Sequence, residues 1–70
     1  MSDRVIEVYI NGERRRLSAL TLDRALLDLG FGATMVATAL NGDFVPLGLR
    51  KATKLNSGDR LEIVTARQGG

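Results

Sequence analysis

Gln68-Gly69-Gly70 are the residues whose types and spacing best suit a reaction, and that reaction is acyl transfer at the Gly70 carboxylate. A chain-terminal carboxylate is ionised at neutral pH, its reference pKa being about 3.3 to 3.7. It becomes an electrophile only once ATP converts it to an acyl-adenylate, which requires threading it into another enzyme. Paired glycines suit that passage. Without Cβ atoms the backbone can extend through a narrow channel and leave the carbonyl carbon open to a nucleophile. The competing explanation is that small residues at a frayed end need no purpose.

The rest of the inventory speaks against a side-chain active site. The 70 residues contain no Cys and no His. That excludes a disulfide, a thiolate nucleophile and a Cys-based zinc site, and it removes the commonest metal ligand and neutral-pH proton shuttle. Asp23, Asp28, Asp43, Asp59 and Glu62 fall on a helix face, in turns or on a strand exterior, where solvated charge accounts for them. Gly30-Phe31-Gly32 follows a helical segment, whereas a dinucleotide fingerprint opens one. Arg14-Arg15-Arg16, Lys51 and Lys54 could meet phosphates. Strand alternation splits the arginines between two faces, however, and Tyr9, Phe31 and Phe44 are the only aromatics, so no stacking platform is present. With a formal net charge of only +2, nucleic acid is not the expected partner.

The elements that must position the tail are legible. Hydrophobic content of 44% with 26% charged residues belongs to a folded domain. Met1-Ser2-Asp3-Arg4 opens no apolar signal core, and no run approaches the roughly 18 apolar residues of a membrane span. A cytoplasmic protein without a membrane partner is expected. Arg4 to Ile10 alternates Ile6, Val8 and Ile10 against Val5, Glu7 and Tyr9, the period of a half-buried strand. Asn11-Gly12 is the type I′ turn pair, and it leads into a polar edge strand, Glu13 to Ser18, whose charges discourage edge pairing.

Thr21 is the expected N-cap of a helix over 22 to 29, whose Leu22, Ala25, Leu26 and Leu29 form one stripe, with Gly30 as the C′ stop. So short a helix needs a sheet to pack on. Met35 to Leu40 is a strand whose inward side the pattern leaves ambiguous. Asn41-Gly42 turns it into the short Phe44-Val45, which stops at Pro46. Leu47 to Leu55 has weak periodicity and two lysines, and is expected to be an irregular connection that could hold one helical turn. Asn56-Ser57-Gly58-Asp59 turns the chain into a last strand, Arg60 to Thr65, with Leu61 and Ile63 inward.

The layout is α+β: one domain over 1–65, a mixed four- to five-stranded sheet with one short helix across one face, and a flexible tail over 66–70. If the last strand pairs beside the first, the tail leaves from mid-sheet. Alternation leaves Val5, Tyr9 and Val64 on the side away from the helix, where they could form a modest apolar patch for a partner. Scattered exposed apolar residues are equally normal. Phe44 could extend that patch or pack beneath its hairpin.

Asn41-Gly42-Asp43-Phe44-Val45-Pro46, followed by Gly58 to Gly70 reading Gly-Asp-Arg-Leu-Glu-Ile-Val-Thr-Ala-Arg-Gln-Gly-Gly, resembles the ThiS family of sulfur carriers in thiamine thiazole synthesis. The resemblance covers nearly the whole length. It implies a ubiquitin-like β-grasp fold and a carrier that is no enzyme. A ThiF-like adenylating enzyme would use ATP and magnesium on Gly70, and a persulfide donor would leave a thiocarboxylate there. A ThiG-like thiazole synthase would take the sulfur. No cofactor or metal would be bound by the carrier itself. The resemblance maps the reactive position onto Gly70 and the tail onto Ala66, Arg67, Gln68 and Gly69. After Val-Pro the family often continues with an Arg-Ser-x-Trp-like segment, where this chain reads Leu47-Gly48-Leu49-Arg50-Lys51. Two other readings stay open: the small subunit of a molybdopterin synthase or another ubiquitin-like carrier, which share a Gly-Gly end, and a β-grasp nucleic-acid or regulatory module.

Overall fold

Alternation sets the first strand. β1 (Ile6–Ile10) turns Ile6, Val8 and Ile10 inward and Glu7 and Tyr9 to solvent, as the period-two side-chain geometry of a strand requires. In the computed structural model, which describes residues 4–32 and 34–65, Asn11 and Gly12 both take positive φ, 51° and 89°. That is the type I′ geometry expected of Asn-Gly, and it folds β2 (Glu13–Leu17) back antiparallel on β1 with Ile6 opposite Leu17. Only Leu17 of β2 is buried. Glu13 and Arg15 fall opposite Ile10 and Val8, on the helix side of the sheet, yet they stay exposed and make a loose 4.0 Å ion pair.

Helix α1 (Leu22–Asp28) buries Leu22, Ala25 and Leu26 and leaves Leu27 outside. It stops one residue earlier than the stripe predicts, with Leu29 as its C-cap. The stop is a Schellman motif: Phe31 N–H donates to Leu26 O at 2.8 Å, Gly30 N–H donates to Leu27 O at 3.1 Å, and Gly30 sits at φ 91°. Thr21 is the N-cap by position, but its hydroxyl makes no cap bond. It donates instead to the Asp23 carboxylate at 2.6 Å.

β3 (Val36–Leu40) and β4 (Asp43–Val45) are joined by a second type I′ turn, with Asn41 at φ 51° and Gly42 at 90°. The side of β3 that faces the core is the Thr38 side, flanked by the half-buried Val36 and Leu40. A threonine can occupy that position because its hydroxyl is fully used. It donates to Val45 O at 2.9 Å and accepts from Arg50 Nε at 3.2 Å, so this buried hydroxyl is not left without a partner.

The connection after Pro46 is more ordered than its sequence pattern predicts. Leu47–Ala52 forms a 3-10 helix that buries none of its residues, and the chain beyond it returns to the start of α1. Leu22 N–H donates to Thr53 O, and Leu55 N–H to Leu20 O, each at 2.9 Å. That bridge seats Leu55 and Ala19 in the core.

β5 (Arg60–Thr65) then enters between β1 and β3, parallel to the first and antiparallel to the second, giving the order β2-β1-β5-β3-β4. Leu61, Leu22 and Val8 are completely enclosed, and burying a side chain of this size contributes about 1.5–3 kcal/mol. No helix among the described residues is long and apolar enough to cross a membrane.

Candidate functional site

The tail-bearing strand is held unevenly along its length. At its start β5 has neighbours on both sides. Tyr9 and Ile10 are level with Arg60 and Leu61 on one flank, and Leu40 and Ala39 lie opposite Leu61 and Glu62 on the other. Both turn asparagines add side-chain bonds to this strand. Asn11 accepts from Ile63 N–H at 2.8 Å through Oδ1 and donates through Nδ2 to Ile63 O at 3.0 Å. Its amide therefore acts as one further residue of β1. Asn41 accepts from Arg60 N–H at 2.9 Å and donates to the Asp59 carboxylate at 3.0 Å. The likeness of the two Asn-Gly segments thus has a physical use beyond the turns: each side chain grips the same strand.

Past Ile63 the support is one-sided. Val64 and Thr65 pair with Ala37 and Val36 of β3, while β1 ends at the level of Leu61. Arg50 steadies that margin by donating from one terminal nitrogen to Val36 O at 2.6 Å and from Nε to Thr38. The tail positions Ala66, Arg67, Gln68, Gly69 and Gly70 lie outside the described residues. They follow Thr65 directly, so Gly70, the position expected to react, is five residues along the chain from a strand inserted in the middle of the sheet.

The four apolar positions expected to meet a partner, Val5, Tyr9, Phe44 and Val64, are all exposed. Register separates them. Phe44 is opposite Ala39 and Val64 opposite Ala37, two residues apart on β3. Tyr9 is level with Arg60, four residues before Val64, or about 13 Å along a strand. Val5 precedes it by four residues more.

Phe44 and Val64 instead line an open cleft of about 900 Å³ with Leu27, Met35, Leu47 and Thr65. Asp23, Arg50 and Lys51 supply its charges. The Thr21 hydroxyl, ahead of the Arg24 backbone N–H and the Lys51 charge, holds the Asp23 carboxyl below its ordinary value. Sequence reading missed Leu27, Met35 and Leu47. No local pattern announces them as a group: Leu27 falls off the buried stripe of its helix, Met35 is expected within β3 but precedes it, and Leu47 follows the proline that ends β4. Gly32 lines the same cleft, and a Cβ there would come within 2.8 Å of the Leu27 side chain.

Among the described residues no three Cys, His, Asp or Glu side chains gather where they could hold a metal ion. What the described residues offer is a strand end with an apolar cleft beside it. The ThiS family model matches residues 8–70, a span that includes β5 and Gly69-Gly70. The chain belongs to the ThiS family. ThiS proteins are small sulfur carriers, and the expected resemblance is met over nearly the full length.

A thiazole synthase of Paramagnetospirillum magneticum is 38% identical over 66 residues, which are 93% of this chain and 20% of that protein. The chain thus spans about a fifth of that relative's length. Protein ycf40 of Pyropia yezoensis, described as uncharacterized, is also 38% identical over 66 residues, covering 93% of both chains. The crystal structure of a thiamine biosynthesis protein (ThiS) from Geobacter metallireducens has the same fold, with a TM-score of 0.79 at 23% identity over 93% of this chain and 100% of that one. The architecture is the ubiquitin-like β-grasp, with a five-stranded mixed sheet and one short helix.

Proposed function

We propose that this chain carries sulfur as a Gly70 thiocarboxylate for construction of the thiazole ring of thiamine. A ThiF-like enzyme, using ATP and magnesium, joins the Gly70 carboxylate to AMP and releases pyrophosphate. The terminal sulfur of a persulfide donor attacks the activated carbonyl, and AMP leaves with the bridging oxygen. A thiol then cleaves the sulfur–sulfur bond of the acyl persulfide and frees the thiocarboxylate. A ThiG-like thiazole synthase takes the sulfur, and Gly70 returns to the carboxylate. The carrier acts as a co-substrate in this cycle, in the cytoplasm, and the ATP and metal belong to its partner.

The observation that carries this reading is the ThiS family match extending through Gly70. The thiazole synthase similarity supports the choice of acceptor, since a segment like this chain there shares a polypeptide with the remaining four-fifths of that protein. The residues suit the chemistry. With no Cys anywhere in the chain, no internal thiol competes for the activated carbonyl. Two glycines at 69 and 70 present that carbonyl without steric cover.

Intact-mass measurement of protein isolated under mild conditions tests the reading. A fraction heavier by the oxygen-to-sulfur difference, localised to Gly70, is expected. Deletion of Gly70 should abolish ATP-dependent pyrophosphate release by the adenylating enzyme without changing the circular-dichroism spectrum. Continued pyrophosphate release by the deletion variant would overturn the assignment. Gly69→Val should likewise block adenylation by bulk while the thermal midpoint holds.

A further inference from the structure

The same labile dipeptide occurs twice in almost the same local sequence, Ile10-Asn11-Gly12-Glu13 and Leu40-Asn41-Gly42-Asp43. A glycine nitrogen, with no side chain beside it, can attack the carboxamide carbon of the preceding asparagine and close a five-membered imide. Both pairs sit in type I′ turns of matching geometry, with φ of 51° and 89° at one and 51° and 90° at the other. All four residues are exposed, so water reaches both turns. Any difference in their reactivity must come from what holds each carboxamide.

The two holds are unequal. Asn11 commits both amide atoms to main chain: Oδ1 accepts from Ile63 N–H at 2.8 Å and Nδ2 donates to Ile63 O at 3.0 Å, in part-buried surroundings. Turning its carboxamide toward Gly12 breaks both bonds and takes partners from two backbone groups of β5, which the fold resists. Asn41 is held in the open. Its Oδ1 accepts from Arg60 N–H at 2.9 Å and its Nδ2 donates to the Asp59 carboxylate at 3.0 Å, both bonds exposed. Water replaces exposed bonds at little net cost, so the Asn41 carboxamide is freed more often.

We infer that Asn41-Gly42 is a site of spontaneous covalent modification in the folded protein, and that the clamp on Ile63 protects Asn11-Gly12 from the same reaction. The Gly42 nitrogen gives up its proton and bonds to Asn41 Cγ, the Cγ–Nδ2 bond breaks, and ammonia leaves. Water then opens the imide. Attack at the main-chain carbonyl leaves isoaspartate, with the chain continuing through the former side chain, and attack at Cγ leaves aspartate. One water is consumed and one ammonia released, with no change of oxidation state. The aspartate product is an acceptor only, and it stands where Nδ2 now donates to Asp59. A bond becomes a contact between like charges, and the grip on the start of β5 loosens.

The test is incubation of the full-length chain at mildly alkaline pH, once folded and once in denaturant, followed by peptide mapping that scores aspartate and isoaspartate at each site. In denaturant, where neither clamp exists, the two asparagines should convert at nearly the same rate. In the folded protein Asn41 should convert faster than Asn11 by about tenfold or more, the scale of one hydrogen bond retained in part-buried surroundings. Asn41→Gln keeps the amide but would have to close a six-membered ring, so it should silence that site and leave the slow conversion at Asn11 unchanged. Asn41→Asp should lower the thermal midpoint, and Asp59→Asn added to it should recover part of the loss. Equal folded-state rates at the two sites would overturn the inference, as would a folded-state Asn41 that stays intact while the denatured chain converts. An unchanged midpoint for Asn41→Asp would overturn the assigned consequence for β5.

Discussion

The two ends of β5 are built to different standards. From Arg60 to Ile63 the strand is flanked by β1 and β3, gripped by two asparagine amides, and seats Leu61 and Ile63 in the core. Val64 and Thr65 have one backbone neighbour and exposed side chains. The contrast separates two duties within six residues. The first end makes the fold, and the second has little of the fold's stability at stake, which suits the delivery of the tail to a partner in the function proposed above.

Substitutions along the strand should expose that gradient. Leu61→Ala should cost about 2–5 kcal/mol, the range for truncating a fully enclosed leucine. In a domain whose whole stability is on the order of 4–10 kcal/mol, this loss should lower the denaturation midpoint sharply. Val64→Ala, at 64% exposure, should stay within about 0.5 kcal/mol. Equal losses at the two positions would erase the distinction.

The asparagine clamps give a finer reading. Asn11→Gly keeps the positive φ of the turn but strips two bonds from Ile63 in partly buried surroundings, for an expected loss of about 1–2 kcal/mol. Asn41→Gly removes solvent-exposed bonds and should cost less. Chemical denaturation of the pair, with the native spectrum as control, checks the order, and a larger loss at Asn41 would contradict it.

The smallest effect concerns Asp23. Its carboxyl is held below the ordinary value mainly by the Thr21 hydroxyl. A lowered folded-state pKa stabilises the protein above the unfolded value and ceases to do so as pH falls through the folded one. Thr21→Val should therefore raise the Asp23 pKa, read by NMR titration. The stability gap between the two proteins should narrow as pH drops below about 4, near the reference carboxylate value. Identical Asp23 titrations in both would refute the assigned cause.

Much of this was legible beforehand, and the reasons differ by region. β1, α1 and the two Asn-Gly turns announce themselves through local period and turn chemistry, and the structure places them within two residues of the predicted bounds. β3 was legible as a strand but not in orientation, because choosing the Thr38 side depends on Val45 O and Arg50, groups distant in sequence. The 3-10 helix and the return that buries Leu55 were illegible because they pair two segments without strand pattern, at Thr21 and Lys54. At the site, the terminal glycines stand in the sequence as a motif, and the family match runs through them, whereas the cleft could not be read. Its walls come from five elements whose meeting only tertiary structure fixes.

Insertion of β5 between β1 and β3 also orders events during synthesis. The sheet cannot close while residues 60–65 are missing, since β1 and β3 have no direct pairing to fall back on, and such distant contacts form late. A nascent chain interrupted before that strand would remain unfolded and open to proteolysis. Molecules that pass that checkpoint have already made everything up to the residue from which the tail departs.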